Sequence, residues 1–126
     1  MISMSNGLAD CFFERYTIHH MSKSNAIDHK AIAELIAAMS SLEGRSAFHN
    51  FLYDIATPQE ISVFSQRFQI AKLLWTTSLP YVEIAKKTGA STTTVTRVAR
   101  FLNQEPFGGY REVLQSQYQK TSKRAK

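Results

Sequence analysis

The chain has a single cysteine, Cys11, among its 126 residues. One thiol excludes an intramolecular disulfide framework and any zinc site built from several cysteines, so an intracellular protein with Cys11 as an idle thiol is expected. Long apolar runs are missing as well. None approaches the roughly 20 residues that a membrane-spanning helix requires, and the opening MISMSNGLADCFFERY has neither the basic leading segment nor the apolar stretch of a signal peptide. A cytoplasmic location with no membrane partner is the expectation. Proline is scarce at three residues and glycine at five, which excludes collagen-like and low-complexity arrays and makes each of these residues an informative break. Period-2 alternation is absent throughout, so no strand is expected and the fold class is all-α.

What is present is ordinary globular material, 44% apolar and 20% charged, in a length suited to one domain. The net charge of +5 is unevenly placed. Residues 1–56 carry Arg15, Lys23, Lys30 and Arg45 against six acids, net −2, whereas residues 57–126 carry eleven basic groups against four acids, net +7. A basic half points to a polyanion, with nucleic acid ahead of an anionic membrane surface; the plainer alternative is a solvated basic face.

Residues 1–25 show no periodicity and are expected to form an irregular or mobile extension, followed by one domain over 26–119 and a basic tail over 120–126. Ile32, Leu35, Ile36 and Met39 mark one face of a first helix. Beyond Gly44, a second helical run carries Phe48, Phe51, Leu52 and Ile55, too aromatic a face to stand in water without a partner surface. Thr57-Pro58-Gln59-Glu60 combines an N-cap threonine, a proline that gives up no needed N–H, and a glutamate placed to reach back, which together start a third helix at Pro58. Its expected stripe is Ile61, Phe64, Phe68, Ala71 and Leu74-Trp75, with Arg67 and Lys72 off it, and it ends before Pro80. Trp75 reads as core or dimer interface.

The segment PYVEIAKKTGASTTTVTRVARFLN, residues 80–103, carries the functional signal. Pro80 opens a short helix with Val82, Ile84 and Ala85 on or near its buried face, and Gly89 supplies the left-handed residue that ends it. Ser91 caps a further helix with Val95, Val98, Ala99 and Leu102 at core spacing. Two short helices joined by a few residues containing glycine are a helix-turn-helix. Ala85 is small where the helices cross, Gly89 makes the turn, and Val95 anchors the second helix, so each position has a steric reason. The remaining exposed residues are Thr92, Thr93, Thr94, Thr96, Arg97 and Arg100, with Lys86 and Lys87 on the first helix. Threonines are middling helix formers, but their hydroxyls and methyls suit base edges, and a helix N-terminus attracts phosphate. A final helix with Tyr110, Val113, Leu114 and Tyr118 follows the breaks at Pro106 and Gly108-Gly109.

Enzymatic chemistry has little footing. His19, His20, His29 and His49 have no metal-ligand spacing, and no glycine-rich loop follows a strand, so neither metal nor cofactor is expected and the chain reads as no enzyme. The rival to DNA recognition is a helix-turn-helix adaptor that binds protein or RNA without operator specificity. Loss of the threonine and arginine face would mark that case, and here the face is intact.

Thr57-Pro58-x-Glu60, Arg67, GASTTTVTRVARFLN and the downstream GGY resemble the Trp repressor superfamily over roughly residues 26–118, and the RVARFLN…GGY variant is most similar to its YerC/YecD branch. The resemblance implies a Trp-repressor-like multi-helix domain that dimerises by interlocking its N-terminal helices. Each subunit of the homodimer would read one half of a palindromic operator in double-stranded DNA, with Ser91 at the start of the reading helix, Thr92, Thr93, Thr94 and Thr96 at base edges or adjacent phosphates, and Lys86, Lys87, Arg97 and Arg100 on phosphates. The function implied is a sequence-specific transcriptional regulator, a repressor.

The resemblance also implies positions for a tryptophan corepressor: Arg67 and Arg97 match the arginines that flank the indole, and Thr57 matches the threonine beside the pocket. Val98 stands where tryptophan-responsive members have glycine, and Phe101 where they have serine. Both changes add bulk where the ligand lies, so no tryptophan response is expected. Arg67 and Arg97 then read as surface or interface cations in preference to a pocket for another anionic effector.

Overall fold

The structure, a computed structural model, describes residues 27–118, which form six α-helices with no strand among them. The expected extension over 1–25, with Cys11, His19 and His20, and the basic tail over 120–126 lie outside the described residues. The helices are α1 (His29–Ser40), α2 (Gly44–Ile55), α3 (Pro58–Thr76), α4 (Tyr81–Thr88), α5 (Thr92–Asn103) and α6 (Gly109–Gln117). None is long and apolar enough to cross a membrane. By its internal contacts the chain divides into residues 1–48 and 49–126, the boundary falling inside α2.

In the first unit, α1 begins where the Asp28 carboxylate accepts from the N–H groups of Lys30 (2.9 Å) and Ala31 (3.3 Å), two of the donors that a helix start leaves orphaned. The expected apolar face is present, yet no residue of α1 or α2 is buried, and Leu35, Ile36, Met39, Phe48 and Leu52 are exposed. His49 stacks on Tyr53 one turn along α2, with ring centroids 4.5 Å apart.

The second unit is held by α5, which packs against α3, α4 and α6, while α3 also meets α4 and α6. Its core comprises Ile70, Ala71, Leu74 and Trp75 of α3, Ile84 and Ala85 of α4, Val95, Val98, Ala99 and Leu102 of α5, and Leu114 of α6. Trp75 thus belongs to the core, and its indole N–H donates to the Tyr118 carbonyl at 3.2 Å, tying the end of α3 to the chain beyond α6. The start of α3 is the expected reciprocal cap. Glu60 N–H donates to Thr57 Oγ1 (3.3 Å), and Thr57 N–H and Oγ1 donate to Glu60 Oε2 (both 2.8 Å). Those donors, the Thr57 backbone N–H first and its hydroxyl second, hold the Glu60 carboxyl below the usual carboxylate range.

Three expectations for burial need correction. Phe64, placed on the core stripe of α3, is 50% exposed, and Ile70, left off it, is fully buried. The buried residues of α3 all lie in its C-terminal part, from Ile70 to Trp75, so a stripe drawn along the whole helix misplaces both. Pro80 is the N-cap and not the first helical residue, and Val82 is 54% exposed because, two residues before the buried Ile84, it lies about 200° round the helix from it. Of the residues named for the final helix, Val113 is exposed and Tyr118 is the C-cap just beyond it, leaving Leu114 as the buried contact with Tyr110 and Tyr118 half-buried beside the core.

Candidate nucleic-acid interface

Helices α4 and α5 are joined by only Gly89, Ala90 and Ser91. Gly89 adopts φ +67°, the left-handed conformation that a side chain resists, and Ala90 N–H returns to the Ala85 carbonyl at 3.1 Å. Gln66 of α3 supports the same turn by donating from Nε2 to the Thr88 carbonyl at 3.1 Å, a contact across 22 residues that sequence spacing does not reveal. Ser91 then restarts the helix: its hydroxyl accepts from Thr94 N–H at 3.1 Å. The turn is fixed from both sides, by the glycine and by the cap, and Ile84, Ala85, Val95, Val98 and Ala99 anchor the two helices beneath it.

This packing leaves one face of α5 in solvent. Thr92, Thr93, Thr96, Arg97 and Arg100 line a single shallow concavity along it. Thr94 is not part of that strip. It is half-buried and its hydroxyl lies 3.0 Å from Ser91 Oγ, so it serves the cap. Thr96 donates to the Thr92 carbonyl at 2.9 Å, which leaves its methyl and an oxygen lone pair for an outside partner. Lys86 and Lys87 are exposed on the last turn of α4, where Lys86 makes a 3.4 Å ion pair with Glu83. Such an exposed pair is weak and exchanges readily for another anion.

The arginines are more constrained than their spacing suggests. Arg100 Nε sits 3.2 Å from Glu105 Oε1, and the guanidinium carbons of Arg97 and Arg100 stand 5.0 and 5.4 Å from the centroid of the Phe101 ring. Phe101 in turn lines an apolar cleft with Phe68, Phe107, Tyr110 and Val113. Burial pushes the Tyr110 hydroxyl above its ordinary pKa, and the positive charges of Arg67 and Arg97 oppose that shift. Both arginines therefore act on one phenol. Val98 is 2% exposed and part of the core, and Thr57 is the cap of α3. Glu105 and Tyr110 were not legible as site residues. They lie on either side of the break at Pro106-Phe107-Gly108, where no periodicity links them to α5.

The Trp repressor protein family model matches residues 30–118 of this chain. Among curated proteins, the uncharacterized protein YerC of Bacillus subtilis (strain 168) is 35% identical over 74 residues, covering 59% of this chain and 70% of YerC. Two solved structures share the fold. A TrpR-like protein from Eubacterium eligens ATCC 27750 superposes with a TM-score of 0.64 at 37% identity, covering 74% of this chain and 96% of its own. A Staphylococcus aureus protein provisionally named a Trp repressor gives 0.63 at 35% identity, with 71% and 87% covered.

Proposed function

The chain belongs to the Trp repressor family, and from that premise we propose that it is a sequence-specific DNA-binding regulator, a repressor, that reads duplex DNA with α5. The observation that carries this reading is the concave strip of Thr92, Thr93, Thr96, Arg97 and Arg100 on a helix whose opposite face is core. Hydroxyls and methyls at the start of the strip match base edges in the major groove, and guanidiniums further along match phosphates. Ser91 and Thr94 form the cap that presents the strip, with the α5 N-terminus drawing a phosphate of its own. Lys86 and Lys87 add sequence-independent attraction.

The working form in this reading is a homodimer over residues 26–119. The apolar side chains that α1 and α2 leave exposed supply the self-complementary surface, and twofold symmetry makes the operator a palindrome. A cytoplasmic location follows from the DNA partner. Tryptophan is not the effector in this reading, since Val98 belongs to the core and Phe101 carries the ring on which Arg97 stacks.

The test is selection of random duplexes by the purified protein at about 150 mM salt, with and without tryptophan, because such affinities mean little without a stated salt. A palindrome enriched equally in both conditions is expected, with half-sites about one helical turn apart. Enrichment only with tryptophan would overturn the effector assignment. No enrichment in either condition would favour an adaptor that binds protein or RNA.

A further inference from the structure

The exposed face of α5 holds two arginines that share one aromatic ring. Arg97 and Arg100 stand 5.0 and 5.4 Å from the centroid of Phe101, and Glu105 takes the Nε of Arg100 at 3.2 Å. The Glu105 side chain is only 18% exposed, so it is a fixed anchor more than a solvated counter-ion. The ring is itself fixed, because it is half-buried and lines an apolar cleft with Phe68 and Tyr110. The core positions of α5 are already filled by Val95, Val98, Ala99 and Leu102. A leucine at 101 would serve the cleft as an apolar filler, whereas a cation needs a π-face.

A guanidinium over a ring keeps its in-plane N–H groups available for phosphate oxygens, in Arg100 those other than the Nε–H that Glu105 takes, and a side chain already held in place loses less rotamer freedom on binding. We propose, resting on the DNA-binding reading above, that Phe101 is a positioning residue: its ring holds Arg97 and Arg100 at the edge of the threonine strip before DNA arrives. The residue then acts on DNA affinity through the two arginines and makes no base contact of its own.

The experiment joins two measurements on the full chain. In the free protein, the Nε–Hε signals of Arg97 and Arg100, assigned with Arg97→Lys and Arg100→Lys, should be displaced by the Phe101 ring current and show restricted motion. Phe101→Leu should abolish the displacement of both signals and the restricted motion of Arg97, with Arg100 still tethered through Nε to Glu105, and Phe101→Tyr should keep both signatures. In titrations against the selected duplex, Phe101→Leu should weaken binding about tenfold through the two arginines that lose the ring, Phe101→Tyr should restore it, and the Leu effect should vanish in an Arg97→Ala/Arg100→Ala background. Mobile, undisplaced arginine signals in the wild-type protein overturn the proposal without recourse to any variant. So does a Phe101→Leu loss of equal size in the double-alanine background, which would make the ring merely structural. Ordered arginines in a wild-type protein that binds no duplex would sink the DNA reading and the role assigned to the ring together, while leaving the stack established.

Discussion

Each exposed side chain of the α5 strip has a separable role at the residue scale. Thr93 lies in the first turn of α5 and lines the concavity, away from the hydroxyl pair that occupies Ser91 and Thr94. Thr93→Gln should therefore cost about 1–3 kcal/mol on the preferred duplex, little on random DNA and nothing measurable in melting temperature. Lys87 points to solvent from α4, outside the strip. Lys87→Ala should instead weaken specific and random duplexes alike and reduce the slope of log affinity against log salt by about one. Fluorescence titrations of both variants on both duplexes at several salt concentrations separate the two patterns; identical behaviour would remove the distinction between reading and holding. Ile84 provides the contrast, being wholly inside. Ile84→Ala should lose about 2–5 kcal/mol of folding stability by denaturant titration, a large share of what a small domain has.

At the scale of elements, the start of α3 and the turn before α5 are where local chemistry decides geometry. The Glu60 carboxylate is favoured in its charged form by the Thr57 N–H and hydroxyl, so its folded pKa lies below the ordinary 4.5. Its contribution to stability is then complete above that ordinary value and is lost as pH falls through the lowered one. The melting-temperature gap between wild type and Glu60→Gln should accordingly hold from neutrality down to about pH 5 and close on further acidification. A gap independent of pH would show that the charge is not what caps the helix. These same elements were the legible ones: Thr57-Pro58-x-Glu60, Gly89 and Ser91 announce their boundaries because caps and left-handed turns demand particular residues at particular offsets. Ile70 was misplaced because burial on α3 depends on where the other helices cross, which periodicity within one segment does not contain, whereas Val82 lies on the opposite side of α4 from Ile84, as helical spacing alone requires. The threonine and arginine strip was legible by subtraction, as what the core of α5 leaves over. Its support was not, since Gln66, Glu105 and Tyr110 reach the site from other elements or across an irregular break.

On the scale of the whole molecule, charge and apolar surface separate along the sequence. The net +7 lies in residues 57–126, with the helix-turn-helix, whereas α1 and α2 carry exposed Leu35, Ile36, Met39, Phe48 and Leu52 and bury nothing. Exposed apolar side chains in this number mark an interaction site, and in the proposed dimer a second copy covers them. Because one half of the chain would then associate and the other would bind, the two functions can be disabled independently. Phe48→Glu places a charge that resists burial in the proposed contact while leaving the core of the 49–126 unit untouched. Sedimentation at micromolar concentration should show the wild type as a dimer and Phe48→Glu shifted to monomer. The variant should lose most of its preference for a palindrome over a single half-site, because one reading helix no longer brings the second with it, yet its salt-dependent affinity for random DNA per subunit should persist. A monomeric wild type that still favours the palindrome would overturn the dimer and leave the operator to be read by one copy of α5 at a time.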